Sequence, residues 1–567
     1  MATAQIHQRP RGAKPVASSA PGQLPAAQGS GRRTLSLALA GSALLFAALP
    51  PWELWPLAWL APVPWALLVR QPDLAGKRPY LALWFAGLAF WLPSLYWLCL
   101  AHPATSIGWV ALCLYLACYL PMFVAIARRA VHGWRVPLIV AVPCVWTGLN
   151  LAQARLFSGF DMAAVGHTQY RWLGLIQIAD LFGEYGVTFV VMFVAAAIAR
   201  ALPCSGQARC LRALVPAGIV VACVLGYGML RRNALTPRPG PTITLVQGNI
   251  DTEIKFDPAE GQRVFDHYLE LTRRAVSAHS QTDLIVWPET MFRYPVLSFT
   301  DDATLRPDAP WSLDELRHHG REVDEGLAAM ARDFGAPLLI GVDTIDYGHG
   351  TESRFNSALM IDDHGPTGER YDKSHPVLFG EYVPLASRWP WLYRFTPLGS
   401  GIESGTRSPG MALGARSGHD ARLSLSICYE TVLPHVIRRE VKDATTGDAA
   451  PDILMNLTND GWFWGSHELD LHLICGVFRA VECRMPLLVA ANTGFSAWVD
   501  GSGRIVERGP RHAPGWIVAD VGLDNRHSLY LRTGDWFAGL CLLGCLAIVV
   551  EAGSAKGRRK QRLAPPA

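Results

Sequence analysis

Hydrophobic residues follow two different patterns along the chain, and the change falls between residues 230 and 240. Before it, long apolar runs are separated by short loops that are basic or polar. After it, short apolar runs alternate with amphipathic stretches. The first pattern is typical of helices that cross a membrane, and the second is typical of an α/β domain.

The apolar runs predict eight transmembrane helices, seven before the α/β region and one after it. They are expected at about 34–49, 52–69, 80–100, 106–127, 136–151, 183–202, 213–230 and 535–551. Several are shorter than the roughly 20 residues that cross a bilayer comfortably.

Basic residues in the loops predict the orientation of these helices. Short loops that carry arginine and lysine stay in the cytoplasm. With eight spans, five basic clusters fall on one side: Arg32/Arg33, Arg70/Lys77/Arg78, Arg128/Arg129/Arg135, Arg200/Arg209/Arg212 and Lys556/Arg558/Arg559/Lys560/Arg562. Both termini are therefore expected inside and residues 231–534 outside, although Arg231 and Arg232 lie on the wrong side for this rule.

The predicted organisation has five parts. A disordered cytoplasmic N-terminus (1–31) precedes a membrane domain (34–230), an extracytoplasmic catalytic domain (240–530), the last transmembrane helix (535–551) and a basic cytoplasmic tail (552–567). The N-terminal segment is rich in Pro, Gly, Ala, Ser and Gln, a composition that does not build a packed core. No cleavable signal peptide is evident, because the first apolar run leads straight into the next.

Composition agrees with a membrane domain joined to a water-soluble one. Half of the 567 residues are hydrophobic and 17% are charged, whereas soluble proteins carry about a quarter charged residues. The net charge of +4 gives no indication of nucleic-acid binding. Nine of the twelve cysteines lie in or beside apolar segments, and the chain has no CxxC or zinc-spaced Cys/His cluster. We therefore predict no metal and no other cofactor.

The α/β region predicts short buried strands that alternate with helices. Strands are expected at 243–248, 284–287, 337–342, 423–427, 453–456 and 486–491, and helices at 261–279, 323–334 and 472–482. Two polar inserts, at about 301–322 and 441–450, are expected to be surface loops.

Three candidate catalytic residues each follow an apolar strand in this region. They are Cys428, Glu289 and Lys373. A cysteine attacks as the thiolate, so it needs a base or a cation beside it. Glu289 is the candidate base. Lys373 would stabilise the thiolate and then the oxyanion, together with the backbone N–H just after Cys428.

Taken singly, these residues also fit an inert core cysteine, a loop carboxylate and a surface lysine. Two other functions are also compatible with this sequence. A membrane-tethered amidase or nitrilase would employ the same three residues, but it would gain nothing from eight spans if its substrates were soluble. A transporter or scaffold with an inactive outer domain would not need to keep all three.

Several motifs around these residues resemble the nitrilase superfamily of carbon–nitrogen hydrolases and, more closely, the bacterial apolipoprotein N-acyltransferases. In chain order they are Val246-Gln247-Gly248-Asn249-Ile250, Trp287-Pro288-Glu289-Thr290, Phe355-Asn356-Ser357, Lys373-Ser374-His375, Phe379-Gly380-Glu381-Tyr382-Val383-Pro384, Ile427-Cys428-Tyr429-Glu430, Asn459-Asp460-Gly461-Trp462-Phe463, Arg479-Ala480-Val481-Glu482 and Arg532-Thr533-Gly534-Asp535. The resemblance covers roughly residues 34–550. It implies a multi-pass α-helical membrane domain plus an α/β nitrilase-like domain, an α-β-β-α sandwich.

The resemblance also implies a ping-pong reaction. Cys428 would take an acyl chain from a phospholipid as a thioester, and the N-terminal amine of a diacylglyceryl-modified apolipoprotein would then receive it. The expected location is the bacterial inner membrane, with the catalytic domain on the periplasmic face. Membrane lipid and apolipoprotein are the expected partners, nucleic acid is not, and a monomer is expected.

Further site residues are implied by the same motifs. Glu381 would be a second essential carboxylate that orients Lys373. Tyr429 and Glu430 would shape the pocket behind the nucleophile, and Asn356 would support the site.

The chain departs from the family at three places that concern substrate binding. Phe256 stands where the family has tryptophan, and proline and leucine are exchanged within 376–378. Residues 159–162 are Gly-Phe-Asp-Met where the family usually has Gly-Phe-Pro-Trp, a segment that concerns the donor-lipid contacts. They lie in the 151–172 loop, expected to be either an interfacial helix or a wall of the lipid entry site. Trp462 is expected either to pack at the rim or to belong to a mobile arm at the bilayer surface.

Overall fold

The computed structural model describes most of the chain. The described residues are 31–203, 210–255, 257, 259–386, 388–395, 401–406, 409–447 and 449–563. The predicted disordered N-terminus lies outside them except for Gly31, as do Phe256 and the last four residues of the predicted basic tail.

Helices occupy each of the eight predicted spans. In the N-terminal region they are α1 (Gly31–Ala48), α2 (Pro62–Arg70), α3 (Pro79–Ser94), α4 (Leu98–Ala101), α5 (Thr105–Leu116), α6 (Tyr119–Arg128), α7 (Leu138–Arg155), α8 (Leu173–Ile176), α9 (Ala179–Phe182), α10 (Glu184–Ala201) and α11 (Val215–Asn233). Within the described part of the chain, four helical runs are long and apolar enough to cross a membrane: Thr105–Gly133, Glu184–Ala201, Leu211–Asn233 and Trp536–Ser554.

Two segments of this region differ from the prediction. The expected span 52–69 is divided into a 3₁₀ turn, Trp55–Trp59, and the short helix α2, because prolines interrupt it and favour a new helix start. The 151–172 loop is not an interfacial helix. Residues 159–169 are buried, and only a 3₁₀ turn, Val165–Gln169, is regular in that stretch.

The α/β domain contains two sheets. Its strands are β1 (Arg238–Gln247), β2 (Leu284–Trp287), β3 (Val296–Thr304), β4 (Leu338–His349), β5 (Glu352–Asp362), β6 (Gly365–Asp372), β7 (Met411–Leu413), β8 (Ala421–Ile427), β9 (Ile453–Thr458), β10 (Leu487–Ala491), β11 (Ala497–Val499), β12 (Ile505–Arg508) and β13 (Gly515–Leu523). One sheet has the order β13-β1-β2-β4-β5-β6 with β3 beside β4, and the other has the order β12-β11-β10-β9-β8-β7.

Seven further helices complete the chain. They are α12 (Thr252–Lys255), α13 (Gly261–Ala278), α14 (Leu313–Phe334), α15 (Pro434–Ala444), α16 (Glu468–Cys483), α17 (Leu529–Thr533) and α18 (Trp536–Leu563). The prediction that residues 301–322 form a surface loop is wrong. This segment contains the end of β3 and the start of α14, whose first turn is closed by a capping box between Ser312 and Glu315.

Alternate side chains along each strand point to opposite faces of the sheet, so one set packs against the other sheet and the next set packs against the helices. In β2, Val286 faces Leu425 and Met455 of the other sheet, whereas Ile285 and Trp287 face α13 and α14. Strands at the centre of both sheets pair in parallel and are buried on both faces, which explains the continuous apolar sequences of β2 and β10. The predicted α-β-β-α sandwich is therefore confirmed.

Helix α16 joins the sandwich to the N-terminal helices. Every residue of α16 except Asp470 is buried, because the helix packs between the second sheet and the N-terminal region. Arg479 lies in this contact. Its guanidinium pairs with Glu184 of α10 at 2.7 Å and with Glu482 at 2.8 Å. A buried ion pair of this kind holds its partners in one arrangement, so α16 and the strands that it covers have a defined position relative to α10.

Candidate active site

Cys428 occupies a strained turn at the end of a central strand. β8 ends at Ile427, and Cys428 starts a 3₁₀ turn, Cys428–Val432. Its φ of 53° lies in the left-handed region, which residues other than glycine rarely adopt. The side chain is half-buried. Strain of this kind is typical of functional sites.

Glu289 is held beside this turn by donors from three separate elements. It lies two residues after β2 and is 7% exposed. Its Oε1 accepts from Asn356 Nδ2 at 2.7 Å and from Lys373 Nζ at 3.4 Å. Its Oε2 accepts from the backbone N–H of Asn459 at 2.9 Å. The predicted supporting residue Asn356 is therefore in direct contact with the predicted base.

Lys373 follows β6 directly and is 1% exposed. Its Nζ donates to Glu381 Oε1 at 2.7 Å as well as to Glu289, and Glu381 Oε2 accepts from the Val377 N–H at 2.7 Å. Burial alone would lower the pKa of Lys373, but the carboxylates of Glu381 and Glu289 outweigh burial and raise it far above its ordinary value. The ammonium therefore stays charged over the whole physiological range.

The surroundings of Cys428 favour its neutral form, whereas those of Lys373 favour its charged form. Burial and the Glu289 carboxylate raise the pKa of Cys428 well above its ordinary value, while Lys373 and a hydrogen bond with Thr458 oppose this rise. Cys428, the candidate nucleophile, is consequently a thiol at rest and not a thiolate stabilised by Lys373. Attack therefore requires a base to take the proton at the moment of reaction, and Glu289 is the carboxylate beside it.

Alkylation of Cys428 by iodoacetamide in detergent-solubilised protein is expected to be slow at neutral pH and to accelerate about tenfold per pH unit above it. The reason is that only the small thiolate fraction reacts. Mass spectrometry of the labelled peptide would measure the rate, with the exposed Cys210 as an internal reference. A rate that levels off near neutral pH would show instead that the thiolate predominates at rest.

Glu430 ties the nucleophile turn to the lysine segment. It is fully buried, and its Oε1 accepts from the N–H groups of Ser374 and His375, each at 2.8 Å. Its Oε2 accepts from Tyr371 Oη at 2.7 Å and from the Ile427 N–H at 2.6 Å. Four donors on one carboxylate therefore hold the residues before Cys428 and after Lys373 at a constant separation.

The other predicted residues lie around this centre or outside the described chain. Tyr429 Oη donates to the carbonyl of Gly159, so this ring contacts the altered 159–162 segment of the N-terminal region. Trp462 lies in the 3₁₀ turn Asp460–Phe463 and is 37% exposed. Phe256 lies outside the residues that the structure describes.

Two residues near the centre had no role predicted from sequence. Lys255 is half-buried and donates to Thr290 Oγ1 beside Glu289. Burial lowers the pKa of Lys255, partly offset by Glu289 and Asp343. Asn459 belongs to one of the motifs that resemble the family. The group that contacts Glu289 is its backbone N–H, which no pattern of side chains in the sequence reveals.

Two groups of described residues offer three ligand atoms within 4.8 Å of one another: Asp460, Glu468 and His472, and Asp362, Asp363 and His364. In the first group, both ring nitrogens of His472 and Oδ1 of Asp460 are already engaged in hydrogen bonds. The second group is largely exposed. Neither is assigned as a metal site.

Comparison with known proteins agrees with this architecture. Residues 242–529 match the family model of carbon-nitrogen hydrolases, and residues 41–197 match that of the apolipoprotein N-acyltransferase N-terminal domain. The apolipoprotein N-acyltransferase of Rhodopirellula baltica is 32% identical over 533 residues, which are 87% of this chain and 92% of that protein. The enzyme of the same name from Geobacter metallireducens is 31% identical over 545 residues, 94% of this chain and 97% of that protein.

Solved structures that are similar cover the α/β domain. An amidase from Nesterenkonia sp. AN1, with an acetamide moiety bound covalently at its active-site cysteine, is 20% identical over 53% of this chain and 95% of its own, with a TM-score of 0.35. Saccharomyces cerevisiae Nit3 is 16% identical over 53% of this chain and 96% of its own, also with a TM-score of 0.35. From the sequence relatives and the two matching family models, this chain belongs to the apolipoprotein N-acyltransferase family.

Proposed function

We propose that Cys428 carries a fatty acyl chain, as a thioester, from a phospholipid to the N-terminal amine of a diacylglyceryl-modified apolipoprotein. Family membership makes the chain a membrane-bound acyltransferase that N-acylates apolipoproteins. The observation that carries the assignment of roles is the contact between Glu289 and the Lys373 ammonium, beside the strained turn of Cys428. Base, cation and nucleophile thus belong to one site.

In the first half-reaction Glu289 takes the Sγ proton as the sulfur attacks the ester carbonyl carbon of the phospholipid. The negative charge moves to the carbonyl oxygen, where Lys373 Nζ and the Tyr429 N–H would stabilise it. When the carbonyl reforms, the C–O bond to the glycerol breaks. The leaving alkoxide takes the proton from Glu289, which yields a lysophospholipid and the acyl-cysteine.

In the second half-reaction the N-terminal amine attacks the thioester carbonyl and Glu289 takes a proton from its nitrogen. The C–S bond then breaks, the amide forms, and the sulfur regains its proton. The same base and the same ammonium thus serve both halves, which suits a group that accepts a proton and returns it in each cycle.

Transfer to an amine requires that water is kept from the thioester. The buried positions of Glu289 and Lys373 support this, as does the cover that the N-terminal region gives to the site. Tyr429, directly after the nucleophile, bonds to Gly159 of that region, so lipid from the membrane and the reacting sulfur would meet at this contact.

The orientation predicted from the basic loops is part of the same proposal. The chain is a membrane protein, and we assign it to the bacterial inner membrane as a monomer with eight spans, both termini in the cytoplasm and residues 240–530 in the periplasm. The lipid-modified N-terminus of an apolipoprotein is anchored in the membrane that the helices cross, so an active site on their outer face would reach it.

The direct test is the mass of the purified protein after incubation with phosphatidylethanolamine vesicles. We expect the mass of one acyl chain on the peptide that contains Cys428 and its loss when a diacylated lipopeptide is added, with the acyl chain recovered as an amide. The Cys428→Ser variant is the control. An unmodified Cys428, or release of free fatty acid alone in the presence of the lipopeptide, would contradict the proposal; the second result would indicate a hydrolase.

A further inference from the structure

His472 of α16 lies behind the backbone of the nucleophile. Its Nε2 lies 3.2 Å from the carbonyl oxygen of Cys428, and its Nδ1 lies 3.0 Å from Asp460 Oδ1. His472 is 6% exposed and Asp460 is 3% exposed. Neither residue belongs to the Glu289, Lys373 and Cys428 set, and no role was predicted for either.

Both partners of the ring are hydrogen-bond acceptors. A carbonyl oxygen carries no proton, and a carboxylate only accepts, so the ring satisfies both contacts only if both nitrogens donate, as in the imidazolium form. The ionisable groups that face it are Asp460 of the preceding 3₁₀ turn and Glu468 of its own helix.

Electrostatics agree with this form of the ring. Burial alone would lower the pKa of His472, but the Asp460 carboxylate and its hydrogen bond outweigh burial and raise the pKa to about 9. Burial and Asp460 raise the pKa of Glu468 well above its ordinary value, which favours the neutral form of this carboxyl beside the ring. His472 and Asp460 therefore form a compensated ion pair.

The carbonyl of Cys428 receives a second hydrogen bond, from Asn456 Nδ2 of β9 at 3.3 Å. Donors on two elements thus hold one carbonyl of a residue with a left-handed φ. Because the peptide unit is planar and trans, its C=O and N–H point in opposite directions. Fixing the Cys428 carbonyl therefore fixes the direction of the Tyr429 N–H.

We infer that His472 is a positioning residue for acyl transfer, which holds the Cys428–Tyr429 peptide so that the Tyr429 N–H faces the oxyanion. This rests on the proposed function, in which that N–H stabilises the tetrahedral intermediate. A charged donor on the carbonyl also polarises the peptide and makes its N–H a stronger donor. His472 acts from the side away from substrate, so it influences the reaction and not the binding of lipid.

The test uses the full-length protein with phosphatidylethanolamine vesicles and the variants His472→Leu and His472→Gln. We expect His472→Leu to lower the maximal single-turnover rate of Cys428 acylation by about 10- to 100-fold, a part of what a lost oxyanion donor costs. The vesicle concentration for half-maximal rate should stay within about twofold. His472→Gln should recover part of the rate, because its amide nitrogen can still donate to the carbonyl.

The matched control is His467→Gln. This histidine is also buried and directly precedes α16, but its Nε2 contacts the carbonyl of Ser94. Its variant is expected to acylate at the rate of the unaltered protein. The pH profile adds a readout that a purely structural role would not move. The ratio of the wild-type rate to the His472→Gln rate should decrease above about pH 9, as the wild-type ring loses its proton.

Three results would overturn the inference: a His472→Leu rate within about twofold of wild type, a rate ratio that stays constant up to about pH 10, or losses in both variants that follow only a lowered midpoint of thermal unfolding. If His472→Leu does not fold, the pH dependence of the ratio of the wild-type rate to the His472→Gln rate tests the inference on its own. Failure of the unaltered protein to acquire an acyl chain is a separate result, which would contradict the proposed function itself.

Discussion

Replacing Cys428 with alanine is expected to abolish acyl transfer and to leave the fold intact. In the proposed mechanism this thiol forms the covalent intermediate, and its removal leaves Glu289 and Lys373 in contact with each other but without a group to activate. The side chain is half-buried, so the loss of its sulfur has a small effect on packing. Transfer of acyl chains to a diacylated lipopeptide would be measured, together with the midpoint of thermal unfolding.

Cys475→Ala and Cys483→Ala are the matched controls. Both thiols are buried on α16, and the charged groups that act on them do not include Glu289 or Lys373, so neither thiol has the base and the ammonium that lie around Cys428. Their variants are expected to retain near-normal activity. Retained transfer in Cys428→Ala, or its loss in either control without unfolding, would show that the nucleophile has been assigned to the wrong residue.

Replacing Lys373 with alanine is expected to lower the rate of Cys428 acylation by about 10²- to 10³-fold, the effect of removing one donor from a developing oxyanion. The variant should also be less stable. Lys373 is the cation between the Glu289 and Glu381 carboxylates, and removal of one partner from a buried pair typically costs about 3–5 kcal/mol. That figure is an upper limit here because Glu381 is partly exposed. Single-turnover acylation and thermal unfolding would measure the two effects.

The double variant Lys373→Ala with Glu381→Gln separates these two effects. Neutralising Glu381 removes one uncompensated charge, so the double variant should regain part of the lost stability. It should not regain activity, because the ammonium is still absent from the oxyanion. Recovery of the acylation rate together with the stability would show that Lys373 serves only to balance the two carboxylates.

The sandwich and its principal residues could be predicted because strands buried on both faces have a local signature. β2 is a continuous apolar run, and β8 alternates leucine with serine before Ile427. Both have ordinary strand length, so Glu289 and Cys428, which follow them, are expected at the ends of strands. A thiol, a carboxylate and an ammonium at such positions then indicate nucleophilic catalysis by a cysteine before any distance is known.

Other parts of the molecule have no such local signature. The segment 301–322 is polar and was expected to be a loop, but a capping box and one buried face make most of it strand and helix. The 159–169 segment is buried by contacts with α10, α16 and the nucleophile turn, which come from three distant parts of the chain. Contacts of this kind depend on packing, and no periodicity in the segment itself encodes them.

The protonation state of Cys428 is a further example. From sequence, Lys373 was expected to stabilise a thiolate. In the folded protein Lys373 is paired with Glu381 and Glu289, and Glu289 also faces the sulfur, so the thiol retains its proton. The balance between one cation and two carboxylates depends on separations of a few ångströms, which strand order alone does not specify.

The sequence by itself determined the apolar helical region, the α/β domain and the three candidate residues, two of which, Glu289 and Cys428, follow buried strands, because each depends on local patterning and residue chemistry. Only the tertiary structure decided which donors hold Glu289, which charges surround the thiol and which histidine supports the nucleophile's carbonyl. These depend on backbone groups and side chains far apart in the chain, and their energies change steeply with distance and burial.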